Sequence, residues 1–176
     1  MSPLAWALTG LAGAIALSLL LPGWLGGVWS PTPKDVARIM LDLAQPHAGE
    51  HLVDLGCGDG RLLILAARQG LQATGYEINP FWRLWIFAKA ALLGLQGSIK
   101  VKGTDLFQAS LEDTQIVTVF LSQAALNRLE PIFAKQLPPG ARIVTYEKVL
   151  PGWTALKAVE VRPGKWVYLY GKEQQS

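Results

Sequence analysis

Residues 51–60 read His51-Leu52-Val53-Asp54-Leu55-Gly56-Cys57-Gly58-Asp59-Gly60. An apolar, β-like run ends at Leu55 and breaks into alternating glycines, and a helix-like run from Arg61 to Arg68 follows. A strand that feeds a glycine turn and then a helix is a cofactor-binding geometry. Glycine tolerates positive φ and lets backbone approach a ligand with no Cβ in the way. The helix start adds free N–H groups and a partial positive charge. The loop spacing is G-x-G-x-G, whereas dinucleotide sites usually read G-x-G-x-x-G. The next apolar run, Leu71 to Tyr76, ends at Glu77, which lies 19 residues past Gly58. A carboxylate at the tip of a second strand can accept from both hydroxyls of a ribose. Loop and carboxylate together point to an adenosine-containing cofactor.

Outward from this core the chain alternates. The pattern predicts strands near 51–55, 71–76, 98–102, 115–120 and 141–146, with helices between most of them. Such alternation implies an α/β fold whose parallel sheet is covered by helices on both faces. Ligands in these sheets bind beyond the carboxyl ends of the strands. Asp54, Glu77, Asp105 and Ser122 fall at such ends and are expected to converge. Thr32 reads as the cap of a first helix reaching about Ala44, with Pro33 at its first position and Asp35 completing a T-x-x-D box. Asn79 and Pro80 open a helix to about Leu93, and Ser122 caps another to about Lys135. At the end, 156–161 and 166–170 flank Arg162-Pro163-Gly164-Lys165, a hairpin signal.

The length of 176 residues suits one domain with an ordinary core. Residues 1–33 carry no Asp, Glu, Lys or Arg, and the chain is almost wholly apolar from Leu4 to Leu21. About 20 apolar residues span a bilayer core. Trp6 at one end and Trp24 and Trp29 at the other suit the two interfaces. We therefore expect a transmembrane anchor over 1–29 and a catalytic domain over 30–176, joined at Ser30-Pro31-Thr32-Pro33. Lys34 and Arg38 follow the span, so the positive-inside tendency puts the domain in the cytoplasm. The lack of an Arg-rich leader favours a bacterial cytoplasmic (inner) membrane, crossed once. The net charge of +3 is too small to argue for nucleic acid, and no basic run is interleaved with aromatics. The single Cys57 forms no internal disulfide and reads as a small filler in the loop; no cluster has zinc-ligand spacing, so no metal is expected. His47 and His51 flank a turn and read as surface residues.

The G-x-G-x-G loop with Asp54 before it resembles motif I of class I S-adenosylmethionine (SAM) methyltransferases. A parallel sheet closed by an antiparallel hairpin resembles their Rossmann-like seven-strand fold. The match extends to Asp54-to-Arg61, Gly75-to-Pro80, Asp105-Leu106-Phe107 and Ala141-to-Trp153 in one order. Over roughly 29 to 170 the chain resembles membrane-anchored seven-strand protein-lysine methyltransferases. The animal members of that family modify the ATP synthase c subunit and the adenine nucleotide translocase in mitochondria. The resemblance implies that Gly56, Gly58 and Gly60 wrap the methionine part of SAM, within a loop that includes Cys57 and Asp59. It implies that Asp54 holds the loop or reaches the SAM amine, that Glu77 binds the ribose, and that Asp105 lies near the adenine amino group. Thr32 and Thr104 are further hydroxyl candidates, Thr32 equally a plain helix cap.

The fourth strand ends in Phe120-Leu121-Ser122-Gln123, so the (D/N)-P-P-(Y/F) signature of adenine and glutamine methyltransferases is absent. Gln123, Asn127, Tyr146 and Trp153 are the candidates for the acceptor mouth. Trp153 has an equal claim as a hydrophobic plug, and Asn127 as a helix surface residue. Glu147 is a possible proton acceptor. The leading expectation is methylation of lysine on a membrane protein. The alternatives are a lipid or quinone acceptor and a non-catalytic SAM-binding module, with an NAD-dependent enzyme disfavoured by the loop spacing. Oligomeric state is not readable from the chain.

Overall fold

The structure is a computed structural model that describes residues 31–173, together with residues 2, 6, 9, 10 and 13. The anchor assigned to 1–29 therefore lies almost entirely outside the described residues. Among the described residues, no helix is long and apolar enough to cross a membrane.

The elements run α1 (Lys34–Ala44), β1 (His51–Leu55), α2 (Arg61–Arg68), β2 (Gln72–Tyr76), α3 (Pro80–Leu92), β3 (Ile99–Lys102), β4 (Ile116–Val119), α4 (Gln123–Gln136), β5 (Arg142–Tyr146), β6 (Lys157–Arg162) and β7 (Lys165–Gly171). One sheet of seven strands has the order β3-β2-β1-β4-β5-β7-β6. The first five strands are parallel, and β7 inserts antiparallel between β5 and β6. This is the expected Rossmann-like class I methyltransferase sheet with its terminal hairpin.

The chain winds outward from β1 through β2 to β3, then returns to β4 on the other side of β1. The strand order reverses there, and the loops leaving β1 and β4 diverge to open a crevice. Register brings Leu55, Tyr76, Lys102, Val119 and Thr145 level, so all five parallel strands end on one rim.

The central strands are buried on both sides, as their apolar runs require. On one face α1 and α2 supply Val36, Met40, Leu41, Leu62 and Leu63, and α3 adds Ile86 and Ala90. On the other, Leu126, Leu129 and Phe133 of α4 pack on Val53, Val117 and Ile143. Asn79 caps α3 by accepting from the Phe81 N–H at 2.9 Å, and Ser122 caps α4 through the Ala125 N–H at 3.3 Å.

Two local expectations need correction. Pro33, not Thr32, is the residue before α1, and no side chain caps that helix. The Thr32 carbonyl is instead held by the Arg61 guanidinium, and Asp35 pairs with Arg162 of β6, so neither half of the predicted box turns back on the helix. His51 is half-buried rather than freely exposed. Its Nε2 lies 2.8 Å from Thr74 Oγ1 and its Nδ1 3.3 Å from the Asp113 carbonyl, and burial lowers its pKa. His47 is exposed, as expected.

Candidate functional site

The glycine loop leaves β1 at the crevice. The N–H groups of Gly56 and Cys57 both donate to the Tyr76 carbonyl, at 2.9 and 3.1 Å, which folds the loop over the end of β2. Gly56, Gly58 and Gly60 hold φ of 79°, 51° and 72°, a region that a side chain disfavours. At Gly60 there is also no room. A Cβ would sit 2.6 Å from Cγ1 of Ile86 in α3.

Glu77 is the hinge of the site. Its Oε2 accepts from the Gly58 N–H at 2.9 Å and its Oε1 from the Asn79 N–H at 2.8 Å. Both oxygens are thereby aimed, and each retains a second lone pair for a hydroxyl donor. The 19-residue spacing read from the sequence becomes direct contact between loop and carboxylate.

Asp54 is buried at the end of β1, where the Thr118 hydroxyl of β4 donates to its Oδ1 at 2.8 Å. Burial pushes its pKa up to about 7; Thr118 offsets this in part, and the negative charges of Asp59 and Glu77 add to it. A cationic ligand group beside it would favour the carboxylate form.

Cys57 and Asp59 turn their side chains to other work. The Cys57 sulfur packs over Gly75, where a Cβ would meet it at 2.4 Å. Burial raises its thiol pKa well above the ordinary value, and Asp54 and Glu77 add to the rise, so it is not a nucleophile in this setting. Asp59 pairs with Arg61 through two bonds of 2.8 Å. Burial would raise the pKa of Asp59, but Arg61 outweighs it and the net shift is downward. Because Arg61 also holds the Thr32 carbonyl, one guanidinium ties the loop to the segment before α1. Any ligand contact from Cys57 or Asp59 would come from their backbone.

Asp105, on the rim after β3, is exposed and accepts from the Phe107 N–H at 3.1 Å, capping the short 3-10 turn Leu106–Gln108. Leu106 and Leu121 close on Gly56: a Cβ there would meet them at 3.9 and 3.2 Å. Leu106 lies in a block singled out in the sequence, but its contact with the loop was not readable there, and that of Leu121 depends on the β1–β4 adjacency.

The acceptor candidates divide. Gln123 Nε2 donates to Asn127 Oδ1 at 3.0 Å and to the Val149 carbonyl at 2.9 Å, joining the start of α4 to the loop after β5. Tyr146 is buried, its ring 4.7 Å from that of Phe120. Trp153 goes elsewhere. Its Nε1 donates to Glu130 at 3.0 Å, and Lys172 lies 5.7 Å from its ring. Lys172 pairs with Gly140 and Ala141, at the opposite end of β5 from Tyr146. Half-buried Trp153 packs against the core face that α4 covers, as a hydrophobic plug would. Glu147, the possible proton acceptor, is paired with Lys165 at 2.6 Å. Among the described residues no group of His, Cys, Asp and Glu could hold a metal.

Comparison with known proteins agrees with this geometry. Residues 54–157 match the ANTKMT methyltransferase domain. The chain is 34% identical over 145 residues to a protein-lysine N-methyltransferase of Saccharolobus islandicus, covering 80% of this chain and 90% of that one. It is 37% identical over 135 residues to the mouse adenine nucleotide translocase lysine N-methyltransferase, and 35% over 124 residues to the mouse lysine N-methyltransferase of the ATP synthase c subunit. These matches cover 73% and 70% of this chain but only 57% and 49% of the mouse proteins. A Salinibacter ruber RNA methyltransferase, solved with S-adenosyl-L-homocysteine, superposes with a TM-score of 0.79 at 31% identity, over 84% of this chain and 96% of that one.

Proposed function

This chain belongs to the ANTKMT methyltransferase domain family, and from that premise we propose that it methylates lysine side chains of a membrane-associated protein. It is a SAM-dependent methyltransferase. SAM supplies an electrophilic methyl on a sulfonium. The observation that carries the reading is the Glu77 clamp, with both oxygens fixed by backbone N–H groups at the crevice.

In this reading Glu77 accepts from the ribose hydroxyls, and Gly56, Gly58 and Gly60 let the loop backbone close on the methionine part. Asp54 steadies the loop through Thr118 or takes the ligand amine. Asp105 lies toward the adenine. Gln123, Asn127 and Tyr146 line the acceptor side; Trp153 supports the sheet instead.

Lysine fits what the rim lacks. An amine ordinarily titrates at about 10.4 and must be neutral to attack. A desolvated mouth lowers that value, so no dedicated base is required. Glu147 is engaged by Lys165 and is not needed for the step. The remaining task is to hold the amine within about 3–3.5 Å of the methyl carbon and in line with its bond to sulfur. The archaeal and mouse relatives named as lysine methyltransferases support this acceptor. The uncharged stretch 1–33 supports an anchor over 1–29 in a bacterial cytoplasmic membrane, with the domain 30–176 in the cytoplasm. An anchor would raise the effective concentration of membrane-protein substrates.

The test uses the full chain, SAM with a labelled methyl group, and membranes from cells lacking this gene. Protein, RNA and solvent-extractable fractions are counted separately. We expect label in a discrete protein band that maps to lysine. Label confined to RNA or to the lipid extract would contradict the lysine reading.

A further inference from the structure

Helix α3 is unusual for a helix flanking a sheet. Of its 13 residues only Ile86 and Ala90 are buried. The outward residues are nonetheless apolar: Phe81, Leu84, Trp85, Phe87, Ala88 and Leu92. Leu84 is 68% exposed, Phe87 67% and Leu92 87%. At about 100° per residue these positions fill one continuous arc of roughly 160° with no polar residue in it. Arg83 and Lys89 stand at its two borders, both half-buried. Scattered exposed apolar residues need no explanation, but a contiguous face of this kind marks an interaction surface.

The charge around it has one sign. Residues 78–104 contain Arg83, Lys89, Lys100 and Lys102 and no Asp or Glu. Lys100 and Lys102 lie on β3, the edge strand of the sheet. Between α3 and β3 runs a groove of about 280 Å³ walled by Ile86, Phe87, Ala90, Ile99 and Val101, with Arg83 in its lining. Apolar face, aromatic rings and bordering cations together form the pattern of a helix that lies in a lipid interface.

We propose that α3 is a lipid-docking helix: its apolar arc enters the surface of an anionic bilayer while Arg83, Lys89, Lys100 and Lys102 meet the headgroups. A protein partner is the weaker fit, because the arc's hydrogen-bonding side chain is the indole N–H of Trp85, an amphipathic ring of the kind that sits at a lipid interface. The orientation is productive. Asn79, the cap of α3, bonds to Glu77 at the crevice, so docking brings the mouth of the site to the bilayer surface. The uncharged stretch 1–33 joins the domain at Thr32, whose carbonyl Arg61 holds at the start of α2. This surface is distinct from the cofactor crevice, and its test does not depend on which acceptor is methylated.

The experiment places an environment-sensitive fluorophore on the full chain at Leu84→Cys, with Lys157→Cys on the opposite sheet edge as control. The native Cys57 is buried and does not compete for label. Each protein is mixed with vesicles of phosphatidylcholine alone, or of phosphatidylcholine with phosphatidylglycerol, carrying nitroxide-labelled lipid. We expect blue-shifted emission at position 84 that nitroxide quenches, stronger with phosphatidylglycerol and weakened by salt, and no shift at 157. A blue shift without quenching would assign the face to protein, whether a second copy or another segment of this chain, and would overturn the proposal. Unshifted emission would overturn it too, as would equal quenching with neutral lipid.

Discussion

Asp54 is the residue whose chemistry departs furthest from its sequence appearance. Its pKa rises from 3.8 to about 7 because it is buried with one hydroxyl donor and two negative neighbours. Between those values the folded protein keeps a proton that the unfolded chain has lost. The contribution of Asp54 to stability without ligand is therefore full below about pH 4, is lost as pH rises to about 7, and stays level above. Thermal melts from pH 4 to pH 8 check this: the decline should flatten in Asp54→Asn, and parallel profiles would contradict it. Gly60→Ala adds a Cβ 2.6 Å from Ile86 at a φ of 72°. It should cost about 1–3 kcal/mol in denaturant unfolding, the range for overpacking. At this scale the sequence was legible where chemistry and spacing coincide, as at Glu77 and the loop glycines. It was silent on Cys57 against Gly75, where neither residue type announces the packing, and on Leu121 over Gly56, a contact between β1 and β4 that lie far apart in the chain.

The elements were legible wherever an apolar period met a turn or cap signal. The five parallel strands, the Asn79 and Ser122 caps and the hairpin all stand within about two residues of the reading. The T-x-x-D box at Thr32 failed because α1 starts one residue later, with Pro33 before it and no side-chain cap, while the Asp35 carboxylate pairs with Arg162 far along the chain. Arg142 shows the same limit. It starts β5, donates to the Ala44 and Gln45 carbonyls at the end of α1, and pairs with Glu50. These partners lie more than 90 residues upstream. Arg142→Met should destabilise the domain by about 1–3 kcal/mol, since it leaves a partly buried carboxylate and two carbonyls without their donor. An unchanged denaturation midpoint would show that water replaces it.

For the whole molecule, the sheet order explains why the cofactor side was readable and the acceptor side was not. The glycine loop and Glu77 come from consecutive β-α-β units, so their spacing in the chain survives as spacing in the fold. The proposed acceptor side would draw on β4, α4 and the loop after β5. Within it Gln123 reaches Val149, while Trp153, only four residues further on, turns to Glu130 instead. The run from Pro80 to about Leu93 was read as a helix, and only its place at the sheet edge reveals that most of it faces outward. The central claim is that SAM is held at this rim by Glu77, and titration calorimetry of SAM into the full chain and into Glu77→Ala tests it most directly. Binding should be about ten- to a hundredfold weaker in the variant, the worth of hydrogen bonds to a charged group. Equal affinity in the two proteins would contradict it.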